Sequence, residues 1–256
     1  MSLIRDLMSQ TPTDTQTILE QSSTAASELA AHPASRSRSL IASPWHTLLV
    51  LAVQGVVSYR GIVHATQPQT LANPDRIAIY ERTMFFEWLV LGLVLIGVWR
   101  HGSSLQTVLG ERWRTVGHFL RHLGIGVLFL GASIVLGSIL SHGIEDSSAR
   151  VILPHTRTEM LLWIALSLTA GICEEAIYRG YLQRQFIAMT RNVPVGIVLS
   201  AALFGMAHLY QGAAQAMQIA VLGAMGGILA HWCKSVRPGM IAHTLQDVLG
   251  GVVHHS

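Results

Sequence analysis

The chain has 256 residues, half of them hydrophobic, with only 12% charged side chains and a formal net charge of +3. A soluble domain carries about 25% charged residues, so this balance is that of a membrane protein. The small basic surplus is spread through short loops without interleaved aromatics, which argues against a nucleic-acid partner. Two cysteines, Cys173 and Cys233, are too few for a disulfide framework and read as packing residues in apolar runs.

Residues 1–40 are polar and rich in Ser, Thr, Gln and Ala, and are expected to form a cytosolic tail without an apolar secretory core. Apolar segments follow, beginning with Trp45 to His64, Met84 to Trp99, and a third ending near Leu140. Between the second and third, "SLQTVLGERW" reads as an interfacial helix near 103–115, with Leu, Val and Trp toward lipid and arginines toward headgroups. A fourth segment starts near Glu159 and runs into "GICEEAIYRGYLQRQF"; the fifth spans Val193 to Tyr210, the sixth Ala213 to Cys233, and the last Met240 to Val253. Spanning a bilayer takes about 20 apolar residues, so the middle segments qualify and the last is marginal. The expected fold is an all-α, polytopic membrane helix bundle of about 6–8 transmembrane helices. Its parts are the tail, N-terminal helices over 41–141, and a core over 155–254.

Basic residues concentrate in alternate connections: Arg100, Arg112 and Arg114, then Arg184 and Arg191, then Lys234 and Arg237. The intervening loops, "QPQTLANPDR", "HGIEDSSAR" and "LYQGA", are near neutral. By the positive-inside rule the basic loops are cytosolic, and Arg36 and Arg38 put the N-terminus on the same side. Gly223, Gly226 and Gly227 make a small helix face, read as packing.

Ionisable residues recur in the last helices: Glu174, Glu175 and Arg179, then His208, then His243 with Asp247. A central charged residue costs about 2.5–3.5 kcal/mol on insertion scales, so these groups must pair or face water. Glu175 and Arg179 are i and i+4 and can pair on one helix face, while Glu174 lies about 100° round and can point elsewhere. His243 and Asp247 repeat the i, i+4 spacing. If the fourth helix continues to about Met189, Glu174 lies about 22 Å from that end. His208, on the returning helix, is then at the same level. Carboxylates and imidazoles in a water-poor cavity suit activation of water for attack on an amide. A structural ion-pair knot at Glu174, Glu175 and Arg179, a bonded core histidine at His208, and a packing pair at His243 and Asp247 are the plainer alternatives. Most other histidines, including His46 and His122, are expected at interfaces, and Glu87 stands isolated with Arg60 as its nearest candidate partner.

"EEAIYR", "FGMAH" and "HTLQD", in this order on separate apolar helices, fit EExxxR, FxxxH and HxxxN-or-D. The set resembles the CPBP family of intramembrane proteases, which groups CAAX endoproteases with bacteriocin-processing and self-immunity (Abi) proteins. The resemblance spans roughly Glu159 to Val253. It implies a hydrolase of the plasma or inner membrane acting on a peptide or protein, prenylated in the eukaryotic relatives, through a cavity open to the cytosolic leaflet. Glu174 would be the base that polarises water beside His208, with Glu175 and Arg179 as a supporting pair. His243 and Asp247 would stabilise the oxyanion or position water, and Asp247 stands where Asn is common. The chemistry is left between a metal-independent water and a zinc ion, for which Glu174, His208 and His243 are adequate ligands. A non-catalytic immunity or partner-binding protein using the same cavity is the alternative. A transporter would show internal repeats, and none is visible.

Overall fold

The computed structural model describes residues 39–65, 67, 73–140 and 151–255. The expected tail, Arg36 and Arg38, the loop "HGIEDSSAR", part of "QPQTLANPDR" and the side chains of His254 and His255 lie outside the described residues. The described structure is helical, with no strand among these residues. The helices are α1 Pro44–Ala65, α2 Arg76–Arg100, α3 Leu105–Leu109, α4 Val116–Leu140 and α5 Arg157–Glu174. A π-helical segment, Glu175–Leu182, joins α5 to α6 Gln183–Thr190; α7 Val193–Ala207, a 3₁₀ turn Leu209–Gln211, α8 Ala213–Cys233 and α9 Arg237–His255 complete the order.

Local chemistry sets these boundaries. Asp75 caps α2 by accepting from the Ala78 N–H. Thr156 and Glu159 form a capping box at the start of α5, and Asn192 caps α7 ahead of Pro194. Arg191 and Lys234 adopt left-handed conformations, with φ of 55° and 51°, at the ends of α6 and α8.

α5, the π segment and α6 run without a break over Arg157–Thr190, 34 residues, as the depth argument requires. At 1.5 Å per residue this is about 50 Å, and Arg157–Glu174 makes up 18 residues of it. Five helices among the described residues are long and apolar enough to cross a bilayer: α1, α2, α4, α8 and the Arg157–Thr190 run. The remaining two expected segments differ. α7 is apolar but has 15 residues, and α9 carries Arg237, His243 and Asp247, which lower its hydropathy. Both are held by the other helices. α7 packs on α8 and α6, and α9 on α5 and α4.

Val90, Leu91, Val94 and Val98 of α2 pack with Cys173, Ile177, Tyr178 and Tyr181 in the core. The outer surface is apolar, as a lipid-facing surface must be. Trp45, Trp99 and Trp232 are about four-fifths exposed. They mark one end of the bundle, where α1 begins and α2 and α8 finish, in the manner of an interfacial aromatic belt.

That end also carries Arg100, Arg112, Arg114, Arg191, Lys234 and Arg237. It is closed by short segments. Val108 of α3 is fully buried rather than lipid-facing. A Cβ at Gly180 would lie 2.6 Å from the Val108 carbonyl oxygen, so only glycine admits this approach. Gly110 has φ of 83° and lies against Lys234 and Ser235. The Ser235 hydroxyl donates to the Leu109 carbonyl, and Arg237 stacks over Trp113. Ile41 and Ala42 are tied to the Gln185 side chain at 3.0 and 2.7 Å. His122, expected at an interface, is buried because the Trp113 indole N–H donates to its Nδ1.

Candidate active site

Winding decides how "EEAIYR" is presented. The helix widens into π geometry from Glu175, a feature found mostly at functional sites. Every side chain from Glu175 to Leu182 is buried. Arg179 Nη1 lies 3.1 Å from Glu175 Oε1, with both side chains about 5% exposed or less. The guanidinium sits over the Phe204 ring, 4.1 Å from its centroid, and Nη2 donates to the Gly223 carbonyl at 3.4 Å.

The small face on α8 makes room for these side chains. A Cβ at Gly223 would come within 3.2 Å of Arg179 Nη2, one at Gly226 within 3.4 Å of Nε, and one at Gly227 within 2.5 Å of Gln183 Oε1. The expected packing role holds, since these glycines lie against Phe204, Ala201 and Ile197 of α7, and they also cradle Arg179 and Gln183, whose amide donates to the Gly227 carbonyl at 2.9 Å.

Glu174 is held more loosely. Its Oε1 lies 4.0 Å from His208 Nε2 and its Oε2 lies 3.6 Å from His243 Nε2. Oε2 is buried and has no hydrogen-bond partner in the protein. His208 ends α7. Its Nδ1 is 2.8 Å from the Phe204 carbonyl, which can only accept. Nδ1 therefore carries a proton, and Nε2 is the nitrogen turned toward Glu174. His243 is bracketed by carboxylates: Nδ1 is 3.5 Å from Glu175 Oε1, and Nε2 is 3.5 Å from Asp247 Oδ2. Each ring nitrogen thus has a carboxylate oxygen beside it. The two glutamates thus do not point to separate places; they meet His243 from opposite nitrogens.

The structure brings all six predicted residues, Glu174, Glu175, Arg179, His208, His243 and Asp247, to one cavity of about 1100 Å³. Among the described residues, no three His, Cys, Asp or Glu side chains form a set arranged to hold a metal ion. Glu174, His208 and His243 are suitable donor types, but as placed they do not make a coordination site.

Three further residues belong to this constellation. Gly239 is tight against the pair, since a Cβ there would lie 2.6 Å from Glu175 Oε2. Its only signal in sequence is its place four residues before His243. Tyr178 is buried beside Phe204 and accepts from the Gln54 side chain at 2.8 Å. Glu87 lines the same cavity, and its Oε2 is buried without a partner. No ion pair joins it to Arg60 among the described residues. A carboxylate within an apolar helix was the available signal.

The cavity walls come from part of each long helix, on α9 from Gly239, His243, Gln246 and Asp247. α1 contributes from Gln54 onward, α2 up to Val90, α4 from Phe129 onward, the α5 run up to Arg179 and α8 up to Gly226. The cavity therefore reaches toward the end opposite the basic loops. α3 and the α8–α9 connection lie on the basic-loop side.

Residues 156–249 match the family model described as "Rce1-like: Type II CAAX prenyl endopeptidase Rce1-like". This region is Rce1-like. The match encloses all three motifs, so the resemblance read from them stands, within an integral membrane helix bundle. No curated protein and no solved structure gave a significant match to the chain.

Proposed function

We propose that this protein is an intramembrane endopeptidase of the CAAX-protease type, in which Glu174 and His208 activate a water molecule. The observation that carries the reading is the placement of Glu174. One carboxylate oxygen faces each imidazole at 4.0 and 3.6 Å, while the neighbouring Glu175 is engaged by Arg179. Glu174 Oε1 and the lone pair of His208 Nε2 are both acceptors, so a water donating to each reconciles them. Glu174 takes one proton from that water as the oxygen adds to the peptide carbonyl carbon. His243, held against Glu175 through Nδ1, turns its Nε2–H from Asp247 to the developing oxyanion. The proton then passes to the amide nitrogen, the C–N bond breaks, and a carboxylic acid and an amine leave. Arg179 neutralises Glu175, so that Glu174 is the carboxylate free to act.

The substrate is a peptide or protein with an apolar segment, lipid-modified or not, in keeping with the CAAX prenyl endopeptidase region and the apolar walls of the cavity. The enzyme resides in the plasma or inner membrane with its N-terminus and basic loops cytosolic. The test is peptide cleavage, together with metal content, by one detergent preparation of wild type, Glu174→Gln and His208→Ala. Metal-free wild type that cleaves, with loss of cleavage in Glu174→Gln at unchanged protein level, is expected. Cleavage by Glu174→Gln, or stoichiometric zinc that disappears together with activity in His208→Ala, would overturn the mechanism.

A further inference from the structure

We propose that the basic end of the bundle carries a binding site for an acidic phospholipid, with the headgroup at Arg112 and Arg237 and the acyl chains along the start of α4. The site is built by the α3–α4 connection, the first turns of α4 and the α8–α9 connection.

Folding gathers cations that are far apart in the chain. The guanidinium of Arg237, at the start of α9, lies over the Trp113 ring, 4.9 Å from its centroid. Arg112 is close enough to act on Arg237 electrostatically. Trp113 is itself held: its indole N–H donates to His122 Nδ1 at 3.0 Å, and Phe119 packs edge-on against it at 5.0 Å. Arg121 and Arg237 both act on His122, so three arginines surround one fixed tryptophan. Like charges brought together repel. None of the ion pairs among the described residues involves these arginines, nor Arg114 and Lys234 beside them in the chain. Glu111, the one carboxylate in these connections, is exposed and joins no ion pair among the described residues either. The placing of cations on one side of a membrane asks only for charge in the loops, as at Arg191. It does not ask for a guanidinium seated on an aromatic ring with a second arginine at its side. Such a cluster without counter-charge is the footprint of an anion, and guanidinium forks match phosphate oxygens.

The surface next to the cluster identifies the kind of anion. α4 opens with Val116, Phe119 and Leu120 at i, i+3 and i+4, on one helix face, and all three are exposed. A free phosphate would use the arginines and leave this apolar face bare. A phospholipid uses both, with the amphipathic ring of Trp113 between headgroup and chain. The uncompensated positive charge selects a headgroup with a net negative charge.

Native mass spectrometry of the full-length protein in detergent reads the site without peptide hydrolysis, so a failure of the protease reading leaves this proposal standing. The protein is offered equal amounts of phosphatidylglycerol and of phosphatidylcholine, whose choline cancels the phosphate charge, with the same acyl chains. Wild type is expected to retain the acidic lipid about ten-fold over the zwitterionic one, the scale of one or two cationic contacts at a membrane surface. Arg237→Gln and Arg112→Gln should each lower that preference about five-fold. Arg112 is exposed, so its variant reads the site even where Arg237→Gln does not fold. Arg191→Gln, at the same end but outside the cluster, should leave the preference as it is. Excess glycerol phosphate should not displace the lipid, because it has no chain to lie on Val116 and Leu120. Equal retention of the two lipids by wild type would overturn the proposal. So would an equal loss in Arg191→Gln and Arg112→Gln, which is diffuse surface charge, or displacement by glycerol phosphate, which is a site for a free anion.

Discussion

Around Glu175 the charges are matched: Arg179 lies at 3.1 Å, Phe204 and the α8 glycines enclose the guanidinium, and both side chains are almost fully buried. Around Glu174, one residue earlier, the nearest cationic or basic atoms are 3.6 and 4.0 Å away, and the side chain keeps about 16% exposure to the cavity. Two identical residues in one helix thus serve different ends. A buried ion pair holds structure because breaking it strands a charge. A carboxylate left incompletely paired in a water-poor cavity keeps the capacity to take a proton.

The sharpest way to break this contrast is Glu174→Gln. Cleavage should fall by about 10³-fold, within the range for loss of a general base, while the melting transition in detergent stays where it is. Next comes Arg179→Met, which leaves Glu175 buried and unpaired. A loss of about 3 kcal/mol is expected, read as a lowered melting temperature, and Arg179→Met combined with Glu175→Gln should recover much of it. Gly239→Ala is smaller. The added methyl collides with Glu175 Oε2 and should cost about 1–2 kcal/mol, lowering both melting and cleavage. The smallest effect belongs to Glu87→Gln. Removing a half-buried, unpartnered carboxylate should leave melting unchanged or raised by about 1 kcal/mol, with cleavage retained. Abolished cleavage there would show that the cavity needs a carboxylate beyond Glu174, Glu175 and Asp247.

Much of this arrangement is legible in the sequence because membrane insertion makes it so. Apolar runs reveal the bundle, and charges inside them are too costly to be incidental. The continuation of α5 past Arg179 could be argued from residue depth, and the structure brings Glu174 and His208 to the same level. The π segment is not legible, since one widened turn leaves the i, i+4 pairing of Glu175 with Arg179 unchanged. Gly223 and Gly227 read as a helix-packing GxxxG, and that the same face also takes the Arg179 guanidinium and the Gln183 amide is not visible in the spacing. The packing of the basic end depends on where α3 docks, through Val108 on Gly180 and Ser235 on Leu109, contacts between residues 72 and 126 positions apart in the chain. Short-range pattern carries no trace of them.

The most direct test of the division of labour sets Glu174→Gln beside Glu175→Gln in one purified preparation and measures cleavage and melting on both. Glu174→Gln should be inactive with the wild-type melting temperature, and Glu175→Gln should melt lower because Arg179 loses its counter-charge. A cleaving Glu174→Gln, or a Glu175→Gln that melts like wild type, would contradict the assignment of chemistry to one carboxylate and architecture to the other.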